Sequence, residues 1–84
     1  MELGEAIQLH RQGRLQEAIA ACQKVLQLDP ENFDAVQLVG KAAKQLGRHA
    51  HAEHFFRVAL SFRPDSIEAL NELGAVLIPL GRHE

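Results

Sequence analysis

The residues of this chain most able to do chemistry lie in one run, Gly47–Phe56, GRHAHAEHFF, which sets His49, His51, Glu53 and His54 close together. Imidazole nitrogens and a carboxylate are zinc donors, and a helical pair such as His51 and His54 has ligand spacing. Helical rotation divides the set, however. Measured from Ala52 at about 100° per residue, His49 falls at about 60°, His54 at about 200° and His51 at about 260°. One ion cannot take all three, and His51 with His54 would need a third ligand from elsewhere. No metal is expected, and the histidines read as solvated surface residues. The remaining candidates carry no reaction either. Chain order suggests no Ser–His–Asp arrangement, and no glycine loop is built to cradle phosphate. Glu17, Glu31, Asp34 and Glu68 fall in first turns of helices, where a carboxylate favours the helix dipole. The sequence therefore predicts no enzyme activity and no cofactor.

Size and charge narrow the classes further. At 84 residues the chain is one small domain near the lower limit for a self-sufficient core. A formal charge of −2 gives no basic surface for nucleic acid. Cys22 is the only cysteine, so no intramolecular disulfide forms. The amino-terminal MELGEAIQLH lacks the apolar run of a signal peptide, and AVLIPLG is too short to span a bilayer. The expectation is a cytoplasmic protein without nucleic-acid or membrane partners. Ala, Leu, Gln and Glu dominate and no hairpin dipeptide appears, so the chain reads as all helix.

What positions these residues is a repeat. LQLDPENFDA and LSFRPDSIEA align with Pro30 over Pro64, a shift of 34 residues. The same shift sets Gly13 over Gly47 over Gly81, Ala18 over Ala52, Ala35 over Ala69, and Gly40 over Gly74. In one unit, Val36, Val39, Gly40 and Ala43 form an apolar stripe at helical spacing. Gly47 ends that helix as a left-handed cap. A second helix follows with Ala52, Phe55, Phe56, Ala59 and Leu60 on its inner face. Pro64 stops it, and Ser66 caps the next. His49 takes the place of Leu15, and GRH returns at Gly81–His83, so much of the histidine cluster is repetition. Cys22 occupies the place of Phe56 and is expected to be a buried, inert thiol.

These residues resemble the tetratricopeptide repeat family, whose pattern has a large residue, Leu-Gly, a spaced Ala and aromatic, and a closing Pro. Val36, Val39-Gly40, Ala43, Ala52, Phe56 and Pro64 fill those places, while the family's tryptophan and tyrosines are replaced by Val, Ala, Leu and Cys. The resemblance implies an all-α fold of tandem helix–turn–helix hairpins in a right-handed α-solenoid, about two and a half repeats. The expected helices are roughly residues 2–11, 15–28, 32–46, 49–62 and 66–80. They divide a single domain, residues 1–84, into a degenerate first repeat (1–31), a second (32–65) and the first helix of a third (66–84). The ending GRHE stands where a second helix begins elsewhere, which reads as a piece of a longer repeat protein.

The resemblance further implies a non-catalytic scaffold that binds a protein or peptide partner in its concave groove. Residues opposite the core stripe line that groove: Asp34, Gln37, Lys41, Lys44 and Gln45, then Glu68, Asn71 and Glu72. Leu38, Ala75 and Ile78 share this face, joined by Leu3, Ile7, His10 and Arg11 from the first helix. Lys41 and Lys44, one turn apart, could receive an acidic peptide or a C-terminal carboxylate, although a solvated lysine face is the favoured reading. The family's carboxylate clamp is missing, with Leu3, Ile7, Leu38, Glu68 and Glu72 at its places. The alternative is the repeat extension of a larger enzyme such as a transferase. The last helix is unusually apolar, and self-association to a homo-oligomer through Val76, Leu77, Ile78 and Leu80 is a further expectation. Pro79 is expected to kink or end that helix near Ile78.

Overall fold

The computed structural model describes residues 2–79, with side chains from Leu3 onward. Five helices follow one another: α1 Glu2–Arg11, α2 Leu15–Leu28, α3 Phe33–Gln45, α4 His49–Phe62 and α5 Ile67–Leu77. Each packs on the next, and α1, α3 and α5 also touch along one side. The result is the all-α hairpin solenoid that the repeat implies.

The turns are made by local chemistry that recurs after 34 residues. Gly13 and Gly47 take φ of +79° and +80°, the left-handed conformation that costs glycine nothing. Beyond them the amide of Arg14 bonds Leu9 O and that of Arg48 bonds Ala43 O, both at 2.9 Å. Gly13 and Gly47 reach back to His10 O and Lys44 O. These two bonds per turn satisfy carbonyls that the helix end leaves open. At the other turns Asn32 Oδ1 accepts from the Ala35 amide at 2.9 Å, and Ser66 Oγ from the Ala69 amide at 3.2 Å. Asn32 and Ser66 thus stand just outside the helices they cap. α5 stops at Leu77 with Ile78 as its last helical-like residue, directly before Pro79, as a ring without an N–H requires.

The core is narrow and rich in alanine. Ala6, Ala18, Ala35, Ala42, Ala52, Ala59 and Ala69 are wholly buried, which lets the backbones approach closely. At the tightest approach, a Cβ added to Gly40 would lie 2.7 Å from the Phe56 ring. Phe56 and its repeat counterpart Cys22 are both fully covered, Phe56 beside Ala43, Ala52 and Val76. Val76 and Leu77 therefore belong to the core and not to an exposed stripe, which corrects the expectation that they mediate self-association. They sit on the side of α5 turned to α4. Leu70 is exposed together with Ile67 and Ile78. Leu80 lies outside the described residues.

Candidate functional site

The side that α1, α3 and α5 share carries a recess of about 290 Å³. Leu3, Ile7, His10 and Arg11 come to it from α1, Asp34, Gln37, Leu38 and Lys41 from α3, and Glu68 from α5. This is the face read from the helical wheel, now with a shape. Lys44 and Glu72 lie one turn further along α3 and α5, and Gln45 and Asn71 are exposed on the same helices.

Two ion pairs stitch α3 to α5 across it. Lys41 Nζ donates to Glu68 Oε2 at 2.5 Å, and Lys44 Nζ donates to Glu72 Oε1. The Lys41 ammonium, with help from Gln37, holds the Glu68 carboxyl below its usual range. Lys41 and Lys44 are consequently not free cations in this structure: the neighbouring repeat already supplies an acid to each. Among the described residues Asp34, in the first turn of α3, has no ion-pair partner, and neither has the exposed Arg11. Gln37, which the sequence places on the open face, is only 6% exposed, and its Oε1 has no hydrogen-bond partner. The Nε2 of His10 is likewise buried and unpartnered. Periodicity gave the face of these two residues but not their depth, because depth depends on how closely α1 lies against α3.

The other candidates stand apart from the recess. His49 is partly buried with Nδ1 unpartnered, whereas His51 and His54 are exposed and His54 meets the Phe55 ring edge-on at 5.2 Å. Among the described residues no three His, Cys, Asp or Glu side chains gather as metal donors. Glu53, buried on α4, pairs with Arg57 at 2.9 Å. Burial pushes the Cys22 thiol up to about 11, which leaves no thiolate for nucleophilic work at neutral pH. A larger recess of about 750 Å³ opens between the α2–α3 turn and the end of α4, where Arg63 stacks over Phe33 at 4.2 Å. No described helix is long and apolar enough to cross a membrane.

Hairpins in a fixed 34-residue register, joined by glycine turns and carrying a recess along their first helices, define a helical-repeat protein. The chain belongs to the tetratricopeptide repeat family, whose model matches residues 9–77. Repeats of this family generally mediate contacts between proteins. The chain is 32% identical over 82 residues to a Pseudomonas aeruginosa protein named as the biofilm formation methyltransferase WspC. That match covers 98% of this chain and 19% of the relative. Among solved structures, a variant of Thermobaculum terrenum O-GlcNAc transferase superposes with a TM-score of 0.90 at 30% identity. The superposition covers 96% of this chain and 16% of that one. A variant of MamA also reaches 0.90, at 26% identity, covering 98% and 45%. The chain thus spans about a fifth of the length of the curated relative it matches.

Proposed function

We propose that the chain is a non-catalytic protein-interaction module that holds a segment of a partner protein along the α1–α3–α5 groove. The observation that carries this reading is the recess itself. It is lined by the apolar side chains of Leu3, Ile7 and Leu38 together with polar groups, on the side where three helices meet. Asp34, Gln37, Lys41 and Glu68 are its polar contact residues, and Lys44, Gln45, Asn71 and Glu72 continue the groove beyond it. Selection of displayed random peptides on the protein, followed by mapping from amide chemical shifts, tests it. Perturbations should gather at Ile7, Leu38, Lys41 and Asn71, and Leu38→Arg should abolish them. Perturbations confined to α2 and α4 would overturn the reading. Reversing Lys41 alone is a poor probe, since it sets two carboxylates together. The charge swap Lys41→Glu with Glu68→Lys keeps the pair and changes only its direction.

A second reading is favoured by the relatives. The methyltransferase and the glycosyl-group transferase each exceed this chain several-fold in length. On that reading the groove belongs to the repeat portion of a larger transferase and recruits what the catalytic portion modifies. Catalysis would then need a further domain, and the 84-residue chain alone should bind peptide without transferring any group to it.

A further inference from the structure

We infer that the bay between α1 and α3 receives an arginine side chain of the bound partner; this deepens the groove reading above and rests on it. The argument starts from an inventory of unmet hydrogen-bonding capacity. Asp34 presents a carboxylate with no ion pair among the described residues, one helical turn from Gln37 on α3. Gln37 is 94% buried by the complement of its 6% exposure, and its Oε1 is unpartnered. Across from them, His10 Nε2 is also buried and unpartnered. All three residues line the same 290 Å³ recess. A carboxylate and a carbonyl oxygen are acceptors, and an imidazole nitrogen accepts when it carries no proton. Leaving such groups buried and unsatisfied is costly, so the site favours whatever brings donors.

A guanidinium is the side chain that brings them without adding an acceptor, with a planar fork of N–H groups. Its aliphatic stem matches the rest of the bay, where Leu3, Ile7 and Leu38 supply apolar surface. The molecule's own guanidinium does not fill the place, because Arg11 at the rim makes no ion pair with Asp34. Glutamate is the wrong visitor: the lysines that would attract it are held by Glu68 and Glu72. Docking includes a rotation of the Gln37 amide that gives up its hydrogen bond to Glu68 and brings its covered oxygen to the ligand.

The test is a nitrogen-15 chemical-shift titration of the 84-residue protein with the tripeptide acetyl-Leu-Arg-Leu-amide. Versions with citrulline or glutamate in place of arginine are run beside it. Saturable shifts are expected at the Gln37 side-chain amide and at Leu38. Citrulline, which keeps the shape and removes the charge, should bind about tenfold more weakly or worse, as should the arginine peptide on Gln37→Met or on Asp34→Asn. Asp34 is exposed, so Asp34→Asn leaves the fold intact whatever Gln37→Met does. Equal affinity for the citrulline or glutamate peptide, or indifference to Asp34→Asn, overturns the inference. If displayed peptides still map to the groove in that case, the interaction-module reading stands and only the arginine assignment falls. If none maps there, both fall.

Discussion

The α3–α4 hairpin and α5 are built from one pattern and end in opposite states. Phe33 is 8% exposed and its counterpart Ile67 is 73%; Val36 is 2% exposed and Leu70 is 49%. A Cβ at Gly40 would strike Phe56, while one at Gly74 meets nothing within 4 Å. The residue types do not differ in kind, so the neighbour does. α4 lies over that face of α3, and no described element lies over that face of α5. The opposite side of α5, with Ala69, Val76 and Leu77, is as well buried as any part of the molecule because α4 covers it. In a solenoid each helix is finished by the next one, and burial is a property of the stack more than of the segment.

Truncation measures this contrast at its widest. Phe56→Ala should cost about 3–5 kcal/mol, the usual result for removing a fully buried aromatic. A domain of this length has roughly 4–13 kcal/mol in total, so the variant will be near unfolding. Leu70→Ala, on the bare face, should cost less than about 1 kcal/mol. Urea denaturation of both compares them directly. A large loss at Leu70 would mean that something covers α5 in solution, and a midpoint rising with protein concentration would identify a second copy.

The glycines should then divide by sign. Gly40→Ala gains helix propensity but pushes a methyl into the enclosed Phe56 ring, and overpacking of this kind costs about 1–3 kcal/mol. Gly74→Ala meets no neighbour and should stabilise by up to about 1 kcal/mol, the difference in helix propensity. Thermal melts of the pair at one concentration decide it. If both variants lose stability, the two faces are not as different as their neighbours suggest.

Much of this was legible in the chain. Gly13, Gly47, Asn32 and Ser66 announce turns and caps through local backbone chemistry, and the helix bounds they imply agree with the structure to within a few residues. Val36, Val39, Gly40 and Ala43 were readable as core because one helical face holds them all. Depth was not readable. Gln37 looked like a groove residue and is one, but its burial depends on α1. Val76 and Leu70 both belong to a broad apolar stripe, and only the position of α4 says which of them is covered. The pairs Lys41–Glu68 and Lys44–Glu72 join residues 27 and 28 apart, a separation that means nothing until α3 and α5 are laid side by side. The free acceptors of the bay were invisible for the same reason: a partner's absence can be seen only once the surroundings are known.

Caps probe the two regions where they should behave alike. Asn32→Ala and Ser66→Ala each remove one hydrogen bond to a helix amide and should cost about 1 kcal/mol apiece. This interaction is made within three residues and owes nothing to the stack. A much smaller loss at Ser66 in denaturant titration would mean that α5 frays separately from the α3–α4 hairpin, which would sharpen the contrast beyond side-chain burial.

The smallest effect is expected where the two regions meet, at Lys41–Glu68. The Glu68 side chain is 57% exposed, so solvent screens the pair and its worth is under about 1 kcal/mol. Its sign with pH is nonetheless fixed. The lysine lowers the carboxyl's folded pKa, so the unfolded chain takes up the proton first as pH falls. The contribution is therefore full above the unfolded value of about 4.3 and is lost as pH drops through the lower folded value. Glu68→Gln should accordingly destabilise slightly at neutral pH and stop mattering in acid, and about 1 M salt should erase the difference by shortening the Debye length to about 3 Å. Glu72, whose side chain is 19% exposed, is less open to that screening. Glu72→Gln should retain more of its effect in salt. If salt removed both equally, the stitch between α3 and α5 would be surface electrostatics throughout, and the two regions would be held together by the apolar contacts of Ala69 and Val76 with the α3–α4 hairpin.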